Sequence, residues 1–206
     1  DIGALLDVGA GGGQLGQAIR DPRAAWTAIE PSPTMRRRLE RLSPAPGIVA
    51  AGWQEAAVAD KAHDTVLAAT MPAFFDDAPG FLARCRAWAR RTVLWVVPAQ
   101  AGPRGLCFAG CLPSHWHGED ETPGVDLVRR ALPRGHQPDR MAVAEWTFTG
   151  EIADLPGLSA YLADRLGWAG GDPRRPELLA HLAGRATALP HGHRLTIPRK
   201  SAVMIW

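Results

Sequence analysis

Short apolar runs alternate with amphipathic stretches through the first half of the chain. Ala4-Leu5-Leu6-Asp7-Val8 and Trp26-Thr27-Ala28-Ile29 are apolar on nearly every residue, the pattern of strands covered on both faces. Ile48-Val49-Ala50-Ala51, Thr65-Val66-Leu67-Ala68-Ala69 and Thr92-Val93-Leu94-Trp95-Val96-Val97 repeat it. Between them the period changes to that of a helix. Leu15 to Arg20 fits a short helix. Pro33 to Leu42 follows Ser32 as N-cap, with Met35, Leu39 and Leu42 on one face. Ala78 to Arg90 gathers Phe81, Leu82, Cys85, Trp88 and Ala89 into one stripe, with Arg84, Arg86 and Arg90 outside it. Strands alternating with helices predict right-handed βαβ units and a parallel sheet.

The pattern weakens after Pro98. Ala99 to Pro123 is rich in Gly, Pro, His and Cys and shows no period, which predicts a long loop of the functional kind. A short helix follows from Gly124 to Leu132. Met141 to Thr149 alternates as a strand, and His193 to Trp206 contains another. Residues 151 to 190 carry two apolar helical stripes, Leu158, Tyr161, Leu162, Leu166 and then Leu178, Leu179, Leu182, and are expected to form a helical cap inserted between strands six and seven.

At 206 residues the chain is expected to be a single domain. A formal net charge of +2 gives no nucleic-acid footprint, and the run Arg36, Arg37, Arg38 and Arg41 reads as a solvated helix face. No apolar run reaches the length of a membrane span. Three cysteines, Cys85, Cys107 and Cys111, without a Cys-x-x-Cys pair, and the absence of a secretory leader before Asp1-Ile2-Gly3, point to a cytoplasmic protein with reduced thiols.

The chemistry-bearing stretch is Leu5-Leu6-Asp7-Val8-Gly9-Ala10-Gly11-Gly12-Gly13, a strand running through an acid into a glycine-rich turn. Gly9, Gly11 and Gly13 allow a close backbone approach that a Cβ would block. Glu30 ends the next strand about twenty residues on, where a carboxylate can accept hydrogen bonds from both ribose hydroxyls of a nucleoside. This order resembles the first signature of the class I S-adenosylmethionine-dependent methyltransferases. The resemblance covers residues 4 to 98 by motif and the rest by order of elements. It implies an α/β, Rossmann-like, seven-stranded, mostly parallel sheet with helices on both faces and an antiparallel last strand. It implies S-adenosylmethionine as cofactor, with S-adenosylhomocysteine as product, held by Asp7, Gly9, Ala10, Gly11, Gly13, Glu30, Pro31, Trp53, Gln54 and Thr70. Trp53, at the exit of the third strand, could stack on the adenine.

Gly11-x-Gly13-x-x-Gly16 with Glu30 downstream also satisfies the looser dinucleotide pattern of an NAD(P)-dependent oxidoreductase. Asp7 argues against that reading, since it adds negative charge next to a pyrophosphate. Ala69-Thr70-Met71-Pro72 lacks the Asn/Asp-Pro-Pro-aromatic motif of enzymes that methylate amide or exocyclic base nitrogens. That directs the expected acceptor toward small molecules, and it leaves a catalytically silent interaction module as an alternative. Should methyl transfer need a base, His115 and His117 are the candidates, because their segment follows the fifth strand and histidine titrates near neutrality. Cys107, Cys111, His115 and His117 match no established metal-finger spacing, and no metal site is assigned.

Overall fold

The computed structural model describes residues 1–69, 76–102, 107–118 and 120–206. In chain order the elements are β1 (Leu5–Val8), α1 (Gln14–Ile19), β2 (Trp26–Ile29), α2 (Pro33–Leu39), β3 (Gly47–Val49), β4 (His63–Ala69), α3 (Ala78–Trp88) and β5 (Ala89–Pro98). They continue with α4 (Ser114–His117), α5 (Gly124–Ala131), β6 (Arg140–Ile152), α6 (Leu155–Arg165), α7 (Arg174–Arg185), β7 (Thr187–Leu189) and β8 (Gly192–Ile205). The sheet runs β3-β2-β1-β4-β5-β8-β6, with β7 paired to β8. Strands β1 to β5 are parallel, and β8 is antiparallel to β5. The expected Rossmann-like sheet with an antiparallel end is therefore present, with one short strand more than expected.

The two-residue strand period explains why both faces are covered. Leu6 and Val8 of β1, Val66 and Ala68 of β4, and Val93, Trp95 and Val97 of β5 join one apolar cluster with Phe81, Leu82, Cys85 and Trp88 of α3 and Val125 and Val128 of α5. The alternate residues, Leu5, Ala28 and Leu67, join Trp26 and Leu39 of α2 in a second cluster, with Ile19 of α1 packed against it. Trp95 anchors the first cluster, 4.8 Å from the Phe81 ring and 6.0 Å from Trp206.

Two helices of the first half end more than one residue short of expectation. The stripe of α3 stops at Trp88, and Ala89 to Arg91 belong to β5, because Ala89 pairs with His63 across the sheet. Lys61 Nζ donates to the carbonyls of Arg86 and Ala89, which satisfies the helix end and stops it there. Helix α2 ends at Leu39 rather than Leu42.

The chain falls into two compact units. One comprises Asp1–Ala99, Gly124–Ala144 and Ser201–Trp206, and the other Gln100–Pro123 and Glu145–Lys200. The stretch expected as a cap, residues 151 to 190, lies within the second. That unit has its own core of Ile152, Leu155, Leu162, Leu178, Leu182, Leu195 and Ile197. Asp154 caps α6 by accepting from the Gly157 amide at 3.0 Å. Among the described residues no helix is long and apolar enough to cross a membrane.

Candidate cofactor site

In the first unit the chain proceeds outward from β1 to β2 and β3 on one side, and through β4 to β5 on the other. The carboxyl ends of β1 and β4 thus form the topological switch point, where parallel α/β sheets bind ligands. The glycine turn leaves β1 at this point. The Gly9 amide donates to the Ile29 carbonyl at 2.8 Å, and the Ala10 amide to the same oxygen at 3.2 Å, which ties the turn to the end of β2. Gly13 closes the turn by donating to Ala10 O at 2.9 Å, and α1 starts after it.

Glu30 is the fixed point of this arrangement. It is 6% exposed, and its two carboxylate oxygens each accept an amide proton at 2.8 Å, Oε2 from Gly11 and Oε1 from Ser32. Charge-assisted bonds of this kind are worth roughly 1.5–3 kcal/mol each. Ser32 in turn caps α2, accepting from the Met35 amide, and Arg36 Nη1 donates to the carbonyls of Glu30 and Pro31. One carboxylate therefore joins the glycine turn to the start of α2. Each of its oxygens keeps a further lone pair for a donor from outside.

Gly11 has φ +56, which favours glycine, and among the described residues, its two chain neighbours aside, no atom lies within 4 Å of where its Cβ would be. The space beside the turn is open. The opposite holds at Gly16 in α1. A Cβ there would stand 2.2 Å from Asp7 Oδ2 and 3.0 Å from the Trp26 ring, so the helix can cross Asp7 only at a glycine.

Asp7 shares its face of the sheet with Leu5 and pairs with Ala28, two residues before Glu30. It is 4% exposed. Burial first, and the Glu30 charge second, push its carboxyl from the ordinary 3.8 up to about 7. The ends of β1 and β2 thus carry two buried carboxyl groups beneath the turn, Glu30 accepting two amide protons and Asp7 about half protonated at neutral pH.

The remaining predicted residues fall in different settings. Pro31 and Gln54 are exposed. Trp53 is 8% exposed and meets Phe81 edge-on at 5.2 Å within the main core, and its indole N–H has no hydrogen-bond partner among the described residues. Thr70, together with Met71 and Pro72, lies outside the described residues. His115 and His117 sit on α4 of the second unit. His115 is exposed and its ring lies 5.7 Å from Trp116, while His117 Nε2 is 3.4 Å from Glu121 Oε1. Trp116 also meets Trp168 at 5.9 Å and His181 at 5.2 Å. His181 Nε2 donates to the Cys111 carbonyl at 2.8 Å, which fixes its tautomer. Sequence reasoning missed the Ser32 amide and the packing role of Gly16. The Glu30-Pro31-Ser32-Pro33 order, an acid directly before a helix cap, was the available signal for the first.

Comparison with known proteins agrees with this geometry. Residues 6–94 match the model of a methyltransferase domain family. No curated protein matches the chain. Among solved structures, a candidate methyltransferase from Bacillus halodurans C-125 shares 12% identity and a TM-score of 0.56, covering 98% of this chain and 90% of its own. A candidate type II methyltransferase from Anaeromyxobacter dehalogenans shares 20% identity with a TM-score of 0.56, over 98% and 87%. A candidate methyltransferase of an antibiotic biosynthesis pathway from Anabaena variabilis ATCC 29413 shares 18% with a TM-score of 0.55, over 99% and 91%. At these identities the structures share the fold with this chain, and the sequence match covers the glycine turn and Glu30. The chain thus has the Rossmann-like fold of these methyltransferases, and its residues 6–94 match a methyltransferase domain family.

Proposed function

We propose that the chain is a cytoplasmic enzyme that moves a methyl group from S-adenosylmethionine to a small-molecule acceptor. The observation that carries this reading is Glu30, buried at the tip of β2 and held by the Gly11 and Ser32 amides beside the open face of Gly11. Free lone pairs on both Glu30 oxygens suit the vicinal hydroxyls of a ribose. Open space at Gly11 suits a close approach of the cofactor's amino-acid portion to the backbone of Gly9, Ala10, Gly11 and Gly13.

S-adenosylmethionine supplies an electrophilic methyl on a sulfonium, and it carries positive charge on that sulfur and on its ammonium. The Glu30 carboxylate, with Asp7 partly ionised nearby, favours such a ligand and disfavours the pyrophosphate of a dinucleotide. In this proposal Pro31 lines the ribose, exposed Gln54 reaches the base, and Trp53 shapes the wall through its packing on Phe81. The protein aligns the acceptor and excludes water. Free, buried thiols at Cys85 and Cys111 suit a reducing compartment.

Transfer of tritiated methyl from S-adenosylmethionine to panels of small alcohols, thiols, amines and carboxylic acids, with RNA alongside, tests the proposal. Label on a small-molecule class, lost in Glu30→Ala, is the expected result. Cofactor binding with no labelled acceptor in any panel would favour a silent module, and label on RNA alone would reassign the acceptor.

A further inference from the structure

The basic run Arg36, Arg37, Arg38 and Arg41 does not behave as one solvated face. Arg37 and Arg38 are exposed, and Arg37 Nη2 donates to Thr34 Oγ1 within its own helix. Arg36 is half-buried and turns the other way. It stands four residues after the Ser32 cap of α2, and helical side chains lean toward the N-terminus of their helix. Its Nη1 reaches back across the cap and donates to the carbonyls of Glu30 at 3.1 Å and Pro31 at 2.6 Å. The second of these bonds bears on the Glu30 carboxylate. The Pro31 carbonyl and the Ser32 amide belong to one planar trans peptide unit, whose C=O and N–H point to opposite sides. Arg36 holds the carbonyl side of that plane, and Glu30 Oε1 accepts from the amide side at 2.8 Å. Turning the plane breaks both bonds together. A guanidinium on the carbonyl also polarises the unit and makes the Ser32 amide a stronger donor.

We infer that Arg36 is a positioning residue for the cofactor, which through the Pro31–Ser32 peptide sets the Glu30 carboxylate in the orientation that meets the ribose hydroxyls. The inference rests on the S-adenosylmethionine site proposed above. Two amides hold the carboxylate, and they are fixed by different parts of the chain. The Gly11 amide at Oε2 is placed by the turn that leaves β1, whereas the Ser32 amide at Oε1 is placed from α2, by Arg36. With the guanidinium gone, the Pro31–Ser32 unit is free to turn, Oε1 loses its donor, and the carboxylate keeps one anchor in place of two. Its remaining lone pairs then no longer face a fixed direction. The loss falls on the bonds to the ribose and leaves the approach to the glycine turn intact.

Binding calorimetry on the full 206-residue chain, with S-adenosylhomocysteine and its 2′-deoxy analogue as the two ligands, tests this. The parent should favour the ligand with the intact ribose by at least about tenfold, the worth of one charge-assisted hydrogen bond. In Arg36→Met, which keeps an unbranched apolar stem and no donor, that preference should fall to about threefold or less, because side chain and hydroxyl act through the same interaction. Arg36→Lys keeps a donor for the Pro31 carbonyl and should restore most of the preference. Arg37→Met should leave it unchanged. Should Arg36→Met fail to fold, Arg36→Gln, whose shorter amide does not reach Pro31, carries the same test. A residue that only supports the fold would weaken both ligands alike. A preference undiminished in the variant that lacks the guanidinium therefore overturns the inference and leaves the cofactor site standing. A parent that binds neither ligand, or both equally, overturns the cofactor reading and the inference with it.

Discussion

The two units of this chain are stabilised by different means. In the second, the core is a conventional apolar set around α6 and α7, and its buried polar residues among those described are Ser159 and Arg199, with no buried acid. In the first, Asp7 and Glu30 are both buried on one face at the end of β1 and β2, and burial holds one of them near pH 7 in its titration. A fold gains nothing in stability from a carboxylate that resists ionisation. Such departures from the apolar pattern mark the place where structure yields to function.

The sharpest way to separate the units is pH. The folded chain holds the Asp7 proton more tightly than the unfolded one does. The stabilisation is complete below about pH 4 and is lost as pH rises through 7, a span of up to about 4 kcal/mol. Asp7→Asn removes this slope, so denaturant unfolding at pH 9 should find the variant more stable than the parent, and the two alike at pH 4.

Next in size is Glu30→Ala, expected to weaken S-adenosylhomocysteine binding by at least about 100-fold, the loss of two charge-assisted hydrogen bonds. Binding calorimetry reads it. In the second unit, Trp116→Ala removes ring contacts to Trp168 and His181 and should cost about 2–3 kcal/mol, seen as a lower melting temperature with cofactor affinity kept within about twofold. An equal loss of affinity would erase the contrast between the units. Gly16→Ala, whose Cβ meets Asp7, should cost about 1–3 kcal/mol and weaken the cofactor as well, unlike Trp116→Ala. The smallest effect concerns His63, which burial holds neutral beside Thr27. Its pKa is lowered, so its contribution is present above about pH 6.5 and lost as pH falls below it, a slope that His63→Asn should flatten.

Much of the first unit was legible in the sequence because its signals are local. Strand runs, the glycine turn, Ser32 and Glu30 are spaced by the geometry of a single βαβ unit, and the folded positions follow that spacing. What escaped was set by contacts distant in sequence. The stripe of α3 continues through Ala89 on paper, and only the pairing with His63 and the Lys61 ammonium, from a loop nearly thirty residues earlier, draw Ala89 into β5. Likewise β7, three residues of Thr187, Ala188 and Leu189, is too short to show a period, and it forms because the turn at Gly192 folds it onto β8. Trp53, expected from its place after β3 to lie beside the adenine, also meets Phe81 of α3, and no local pattern announces that contact.

Titration of the purified chain with S-adenosylhomocysteine, beside NADH and with Glu30→Ala as the paired variant, tests the central claim most directly. Micromolar binding of S-adenosylhomocysteine, absent in Glu30→Ala and not matched by NADH, is the predicted result. Binding of NADH in its place, or equal affinity of parent and variant for S-adenosylhomocysteine, would contradict it.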